Sequence, residues 1–363
     1  MKRWQTLLDE SYRSLSDLQE PLGVSEETYA ELAPFEERYP VLITPYYLRL
    51  MNRLDPEDPI KRMVVPDLSV PAAIDAETQE NTEATIQGGQ HKYQQSVLII
   101  SNDATMSYAR HCYRRDFAHL DEDEAALRIP KLAEYIGDHP EIDNISISGG
   151  DAFLNTNERI GEYLKAFAFL PNVDYIRFTT SVPATFPQRI TEDDGDLLAL
   201  LSRYAKAKAI IVVTQFNHPR EITDEAYTAV RLLREAGCTI RNESVLLRGV
   251  NDSPETLSEL MRGLVSIGVV PYYLYQCRVP VGFEDHLQVP LAEGMRIVGE
   301  AKAKMSGMAN SFRYIMSHRL GKVQMVGFAD DGKAVFKVHA ARRAEDQGRI
   351  FTAELTDDQV WLD

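Results

Sequence analysis

The sequence has only three cysteines, no long apolar run and no excess of positive charge, and each shortage excludes a class of protein. Three scattered cysteines among 363 residues do not build a disulfide framework. No run of about 18 apolar residues suggests a transmembrane helix, and the first residues lack the apolar core of a signal peptide. The 55 acidic residues outnumber the 39 basic ones, and the resulting net charge of −16 repels phosphate backbones. We therefore expect a cytoplasmic globular protein that binds neither nucleic acid nor membrane.

Short, continuously apolar runs recur along the chain from Ser96, after a helical and irregular N-terminal extension over residues 1–95. Such runs, bounded by turn residues, are typical of strands buried on both faces of a parallel sheet. Helical patterns separate them, and after a first, longer spacing the runs recur roughly every 30 to 35 residues, the length of one βα unit. The runs are SVLIIS, NISIS, YIRFTTS, AIIVVTQF, TIRNESVLL and PYYLYQC. This pattern predicts an α/β fold over 96–309, as a partial barrel or a doubly wound sheet, with ligands at the carboxyl ends of the strands.

The pattern changes at about Asn310. The segment GKVQMVGFADDGKAVFKVHA alternates apolar and polar residues around Asp-Asp-Gly, which predicts a β-hairpin. We therefore place a small β-rich segment over 310–363. Lys322 lies just before one of its apolar strands. A lysine held in a pocket can form a Schiff base with an aldehyde cofactor, although most lysines are solvated surface charges.

Several polar residues follow the predicted strands. SGGD, Ser148–Asp151, has glycines that would let a ligand approach the backbone, and Asp151 can accept from an ammonium group. A tight turn that caps the next helix explains the same four residues equally well. His218 stands at a strand end, where a structural role is the commoner one. Cys277 is expected in the core, and Arg278 follows it at the mouth of the predicted barrel.

Six phrases occur in an order that resembles the lysine 2,3-aminomutase family of radical S-adenosylmethionine (SAM) enzymes, over about Tyr39 to Gly327. They are ITPYYLRLM, SGGDAFL, FPQRIT, FNHPREIT, SVLLRGVND and PYYLYQC. The resemblance implies a partial (β/α)6 barrel and a Cys-x3-Cys-x2-Cys loop that holds a [4Fe–4S] cluster. It also implies SAM on that cluster, and pyridoxal phosphate (PLP) carrying the substrate amine. The implied reaction moves an amino group from the α- to the β-carbon of an amino acid.

The resemblance assigns roles to individual residues. Lys322 matches the lysine that binds PLP, and Arg114 matches the arginine that holds the substrate carboxylate. Lys92 lies in HKYQQS, where the family has HRYPDR, and keeps one contact to the PLP phosphate, while Ser96 replaces a second cation. The implied contacts to the methionine part of SAM are Ser148, Gly149, Gly150 and Asp151. A small-molecule amino acid is the implied partner, and a homo-oligomer is compatible with the resemblance.

The expected cluster loop departs from the family. It lies in SNDATMSYARHCYRRDF, Ser101–Phe117, and has a single cysteine, Cys112. The other two ligand positions fall at Ala104 and Ala109, with one residue more between them than in the family. Alanine offers no lone pair to iron, and a [4Fe–4S] cluster is normally held by thiolates. We therefore expect radical chemistry to be absent or impaired.

The implied substrate pocket departs as well. The two aspartates with which the family holds the distal ammonium of lysine correspond to Arg278 and Ile315, and an arginine after the third strand has become Ser181. Arg278 would repel an ammonium and attract a carboxylate, which favours an acidic or neutral amino acid over lysine.

Three interpretations of the two alanines stay open. The chain is an altered form of a working aminomutase, or a cluster-less PLP enzyme with non-radical amino acid chemistry, or a non-catalytic barrel that serves as a scaffold or binding protein.

Overall fold

The computed structural model describes residues 2–32, 41–65, 86, 88–102, 104–106, 122–278 and 287–362, without the side chains of residues 32, 92 and 122–126. The N-terminal part contains five short helices. They are α1 (Arg3–Asp9), α2 (Leu15–Leu22), α3 (Glu26–Leu32), α4 (Pro45–Arg49) and α5 (Pro59–Val64). Side-chain caps start several of them, and at α3 the Thr28 amide donates to the Ser25 hydroxyl at 3.1 Å.

Strands and helices alternate through the middle of the chain. The strands are β1 (Gly89–Tyr93), β2 (Ser96–Ile100), β3 (Asn144–Ser148), β4 (Tyr175–Thr179), β5 (Ala209–Thr214), β6 (Thr239–Leu246) and β7 (Val270–Gln276). The helices after β2 are α6 (Glu122–Asp138), α7 (Asn157–Phe167), α8 (Val182–Thr185), α9 (Gln188–Thr191), α10 (Asp196–Ala205), α11 (Asp224–Glu235), α12 (Pro254–Ser266) and α13 (Leu291–Ala303). The chain ends with β8 (Arg313–His318), β9 (Gly321–Phe328), β10 (Ala334–Ala341) and β11 (Ile350–Ala353).

The strands form one sheet in which the order along the chain is also the order in space. Strands β2 to β8 run parallel to one another, each separated from the next by at least one helix. At the two edges the pairing is antiparallel, with β1 on β2 and with β9 to β11 beyond β8. The pairings include none between β1 and β11, so the described sheet is open, as a partial barrel requires.

The two faces of the sheet carry different side chains. One face packs against the helices, and its residues, such as Ile147, Phe178 and Val212, are buried in one large apolar core. The opposite face is called the inner face below. A second apolar cluster joins the N-terminal helices to the rim of the sheet through residues such as Leu247 and Cys277. The N-terminal helices therefore close one side of the rim.

The six predicted strands and the hairpin around Gly332, whose φ is +82°, are confirmed. Gly237 and Gly268 end α11 and α12 with positive φ values of +92° and +85°. Strand β8 was not predicted, and it pairs in parallel with β7. Strands β8 to β11, within the segment that the sequence separates as 310–363, continue the same sheet. In the part of the chain that the structure describes, no helix is both long and apolar enough to cross a membrane.

Candidate functional site

The glycine loop after β3 packs tightly against the segment that follows β2. The Gly150 amide donates to the Asn102 carbonyl at 2.7 Å, and the Asp151 amide donates to the Ala104 carbonyl at 2.6 Å. A side chain at Gly150 would collide with the Ala104 carbonyl oxygen, and Gly149 has a φ of +103°. Glycine is required at both positions because two backbone segments meet there.

Asp151 is buried at the centre of this loop, and donors from the protein surround its carboxylate. One oxygen accepts from the Thr180 hydroxyl at 2.5 Å and from the Phe153 amide at 3.0 Å. The other accepts from the Ser181 amide at 2.6 Å and from the Ser181 hydroxyl at 2.9 Å. Burial raises the pKa of this carboxyl group, while the hydrogen bonds from Thr180 and Ser181 oppose the rise. An ammonium group, as in SAM, would have to replace one of these four donors.

The cluster-ligand positions do not provide a usual [4Fe–4S] site. Ala104 contributes a carbonyl to the glycine loop and has no sulfur. Ala109, Cys112 and Arg114 lie outside the described residues. Among the residues that are described, no group of three or more His, Cys, Asp and Glu side chains could hold a metal ion. The donor set present in this chain therefore does not fit the cluster.

Cys238 and Cys277 belong to the core. Cys238 is 6% exposed and Cys277 is fully buried. Burial raises the pKa of the Cys238 thiol to about 12 and that of Cys277 further still. Both thiols stay protonated at neutral pH and pack as small apolar groups, as the sequence predicts for Cys277.

A buried set of polar residues lies where β5 and β6 end, and we call it the rim network. Glu221 accepts from the Tyr47 hydroxyl at 2.8 Å and from the amides of Asn217 and His218 at 2.6 and 2.8 Å. The Asn251 amide group donates to the carbonyl oxygens of Asn217 and Val245, both at 2.8 Å. The network thus joins residues from three of the family-like phrases, ITPYYLRLM, FNHPREIT and SVLLRGVND.

His218, at the edge of this network, has the structural role that the sequence favours. Its Nδ1 accepts from the Arg220 amide at 3.2 Å and caps a short 3-10 turn. Burial, together with the positive charge of Arg220, lowers its pKa to about 4. The imidazole is therefore neutral at pH 7.

Lys322 lies in β9 and its side chain reaches over aromatic residues of β7. The ammonium nitrogen is 4.4 Å from the centre of the Tyr273 ring and 5.7 Å from that of Tyr275. The Tyr273 hydroxyl is hydrogen-bonded to Nε2 of His339, in β10, at 3.0 Å. Burial, then the charges of Arg313 and Lys322, lowers the pKa of His339 to about 4, so this ring is neutral at pH 7. The candidate PLP lysine is thus held on the inner face by cation–π contacts.

Two arginines lie on the same face, and neither was predicted as a site residue. Arg177 of β4 donates through Nη2 to the Ser96 hydroxyl at 3.1 Å. The guanidinium of Arg241, in β6, lies 4.8 Å from the centre of the Tyr272 ring. The Nε atoms of both arginines are buried and have no hydrogen-bond partner among the described residues. With Arg313 and Lys322, these two side chains are called the inner-face cations.

Of the two positions where the resemblance implies substrate contacts, Arg278 follows the carboxyl end of β7 and Ile315 lies within β8. The Arg278 guanidinium lies 5.4 Å from the centre of a ring of Trp361, near the C-terminus. Ile315 in β8 is fully buried and offers no charge. The backbone of Lys92 lies in β1, but its side chain is outside the described part of the structure.

Comparison with known proteins supports the family resemblance that the six sequence phrases indicate. No family model matches the chain. L-lysine 2,3-aminomutase of Clostridium subterminale is 34% identical over 310 residues, covering 84% of this chain and 72% of the relative. L-lysine 2,3-aminomutase of Acetoanaerobium sticklandii is 39% identical over 271 residues, covering 73% of this chain and 64% of the relative. Glutamate 2,3-aminomutase of Clostridioides difficile is 32% identical over 277 residues, covering 74% of this chain and 63% of the relative.

Among solved structures, a radical SAM methyltransferase from Sphaerobacter thermophilus aligns with 61% of this chain and 66% of its own. The sequence identity there is 19% and the TM-score is 0.38. The relatives found by sequence are more similar to this chain than that structure is. An identity of 34% that covers 72% of a relative establishes common descent. The chain belongs to the L-lysine 2,3-aminomutase family, the radical SAM family that its sequence phrases resemble.

Proposed function

We propose that this protein binds PLP through Lys322 and acts on an acidic or neutral amino acid, as a descendant of the 2,3-aminomutases in which radical chemistry is absent or impaired. The observation that carries the proposal is the position of Lys322 over the Tyr273 ring, 4.4 Å from its centre, on the inner face of the sheet. An amine held in this way is positioned for an aldehyde ligand instead of extending into solvent. When bound, PLP would supply an electron sink for bonds to the α-carbon of an amino acid.

The residues around Lys322 fit such a ligand. His339 holds the Tyr273 hydroxyl at 3.0 Å, and this bond fixes the ring on which the Lys322 ammonium rests. The Nε atoms of Arg177 and Arg241, which have no acceptor among the described residues, are buried donors on the same face. This part of the structure offers an amine and cationic donors to an anionic aldehyde cofactor.

The cluster-ligand positions, in contrast, do not fit an iron–sulfur cluster. Ala104 has a methyl group where a thiolate is needed, and Ala109 is the same residue type. No step is therefore assigned to a [4Fe–4S] cluster. An iron assay on protein purified without oxygen and offered iron and sulfide should find no stoichiometric iron. Stoichiometric iron in the chain as written would contradict this assignment.

Arg278 is the proposed contact to the side-chain carboxylate of the substrate. It stands where the family has an aspartate, and it lies 5.4 Å from a Trp361 ring centre, which restrains the guanidinium plane. Ile315 removes the second aspartate and brings no charge. One relative, at 32% identity, is named glutamate 2,3-aminomutase, so the family includes a member named for an acidic amino acid.

The first experiment asks whether Lys322 binds PLP covalently. The protein is incubated with PLP, reduced with borohydride and digested, and the modified peptide is identified by mass spectrometry. We expect the adduct on Lys322 and its loss in Lys322→Ala. Lys337→Ala is the matched control, because Lys337 is an exposed lysine of the same hairpin. An adduct that persists in Lys322→Ala at the wild-type level would remove Lys322 from the function.

The second experiment tests the substrate class. Binding of glutamate, aspartate and lysine to the PLP-loaded protein is measured by titration of its absorbance. We expect the acidic amino acids to bind more tightly than lysine, and Arg278→Ala to lose about tenfold or more of that affinity. Arg278→Lys should retain part of it, since the charge remains. Equal affinity for glutamate in wild type and Arg278→Ala would show that Arg278 does not recognise the substrate.

A further inference from the structure

We infer that Arg177 and Arg241, together with the Ser96 hydroxyl, form a binding site for a phosphate group on the inner face of the sheet. This inference rests on the proposed function, because it assigns the phosphate of PLP to the site. In the resemblance, Ser96 stands where a second phosphate-binding cation is expected. Arg177 reaches that same point from another strand, since its Nη2 donates to Ser96 Oγ at 3.1 Å. A cation from β4 thus takes the place of the one missing from β2.

Strand register places both arginines on one face. Arg177 pairs with Ile211, and Val213, two residues further along β5, pairs with Arg241. Alternate residues of a strand point to the same side, so Arg177 and Arg241 share the inner face one layer apart. Their neighbours Ile176 and Ile240 point the other way, into the helix-packed core. The two arginines therefore lie on adjacent layers of the inner face.

Both arginines retain unused donors. Their Nε atoms are buried and lack an acceptor in the described structure. Across that same part of the chain, no ion pair joins either of them to a carboxylate, although surface arginines such as Arg231 do pair with acidic neighbours. Buried donors without acceptors are destabilising and uncommon in native proteins, and they are often satisfied by a ligand. Arg241 is in addition stacked on Tyr272, which fixes the direction of its N–H groups.

The local charge favours an anion. On the described strands, Arg177, Arg241, Arg313 and Lys322 share the inner face with the carboxylate of Glu243, in a chain with a net charge of −16. Asp143 lies near the same end of the two arginine strands, since it acts with Arg177 and Arg241 on the Tyr175 hydroxyl. A group of cations on one face of an acidic protein attracts anions to that face. A phosphate monoester suits this set of donors better than a carboxylate does. It carries nearly two negative charges and three acceptor oxygens, which match two guanidinium forks and a hydroxyl.

The experiment compares PLP with pyridoxal, which has the same aldehyde but no phosphate. Their affinities for wild type, Arg177→Gln and Arg241→Gln are measured by absorbance titration, and binding of inorganic phosphate alone is measured by calorimetry. We expect wild type to bind PLP more tightly than pyridoxal. Each substitution should weaken PLP binding by about tenfold to hundredfold and leave pyridoxal binding unchanged. Arg231→Gln is the control, since Arg231 pairs with Glu235 on the exposed surface of α11. Circular dichroism checks that each variant is folded.

The outcomes separate this site from the proposed function. If PLP attaches to Lys322 and both variants bind it as wild type does, the phosphate site is wrong and the function stands. If wild type forms no adduct with PLP but binds inorganic phosphate, and Arg177→Gln loses that binding, the site stands and the function fails. Lys322→Ala should still bind inorganic phosphate, because its amine is not part of the site. Equal affinities of wild type for PLP and pyridoxal would overturn the site directly.

Discussion

The rim network and the inner-face cations are two polar regions of one sheet, and they differ in how completely their hydrogen bonds are satisfied. Both Glu221 oxygens accept from protein donors, and both Asn217 and Asn251 bind backbone groups across β5 and β6. Arg177 and Arg241 instead keep buried Nε donors that lack a partner among the described residues. A polar group that is fully satisfied by the protein contributes to stability, whereas one left unsatisfied is available to a ligand. This difference underlies the structural role that we expect for the rim and the binding role that we propose for the inner face.

The largest expected effect comes from breaking the rim. Glu221→Ala removes the acceptor of the Tyr47 hydroxyl and of the amides of Asn217 and His218. Each buried donor left unsatisfied costs about 1 to 3 kcal/mol, so we expect a loss of about 3 kcal/mol or more in the free energy of unfolding. Urea denaturation measures it. Glu235→Ala, which breaks an exposed pair with Arg231, should cost about 0.5 kcal/mol or less. Equal costs for the two variants would show that the rim network is not structural.

A smaller effect is expected at Asp151, which tests whether the glycine loop belongs with the rim or with the binding face. Asparagine can accept at one oxygen only, so Asp151→Asn would leave two of the donors from Phe153, Thr180 and Ser181 without an acceptor. We expect a loss of about 2 kcal/mol in urea denaturation. Asp196→Asn, at an exposed ion pair with Lys2, is the control. If Asp151→Asn leaves stability unchanged but abolishes a stabilising effect of added SAM, Asp151 is a ligand contact.

The fold was largely predictable from the sequence, because it depends on local patterns. Continuous apolar runs gave β2 to β7, and Asp-Asp-Gly gave the hairpin of β9 and β10. Strand β8 was missed because RYIMSH begins with a charged residue and ends with a polar pair, which hides a short buried strand. Its parallel pairing with β7 depends on a partner about 40 residues away, which no local pattern records.

The candidate site was less predictable, because its contacts are non-local. The sequence singled out Asp151 as an acceptor but gave no sign that Thr180 and Ser181 occupy its carboxylate. The prediction considered polar residues at the ends of strands, whereas Arg177 and Arg241 lie within strands. A signal was present, since Arg177 in YIRFT and Arg241 in TIRNE each lie inside a predicted strand. A charge at the middle of a buried strand must face a cavity or a counter-ion, and this rule would have found both residues.

The pH dependence of stability tests the inner face at His339. Its pKa is about 4 in the folded state against 6.5 when unperturbed. Between these values the unfolded chain binds a proton that the folded chain does not, so acidification from pH 6.5 to 4 lowers stability. We expect the loss of unfolding free energy over this window to be smaller in His339→Gln than in wild type, as measured by urea denaturation at several pH values. His218 also has a pKa of about 4, so part of the loss should remain. Identical slopes in wild type and variant would mean that His339 titrates normally.

The smallest expected effect on stability is the sharpest test of the comparison. Arg177→Gln removes a guanidinium whose one hydrogen bond to a described residue is the 3.1 Å contact to Ser96 Oγ, and it also removes a buried donor that lacks an acceptor. The two changes oppose each other, so we expect the free energy of unfolding without ligand to change by about 1 kcal/mol or less. With phosphate present, wild type should gain stability that the variant does not gain, because a ligand stabilises only the state that binds it. If Arg177→Gln is as destabilising without ligand as Glu221→Ala, Arg177 is a structural residue, and unsatisfied donors do not mark the binding face of this protein.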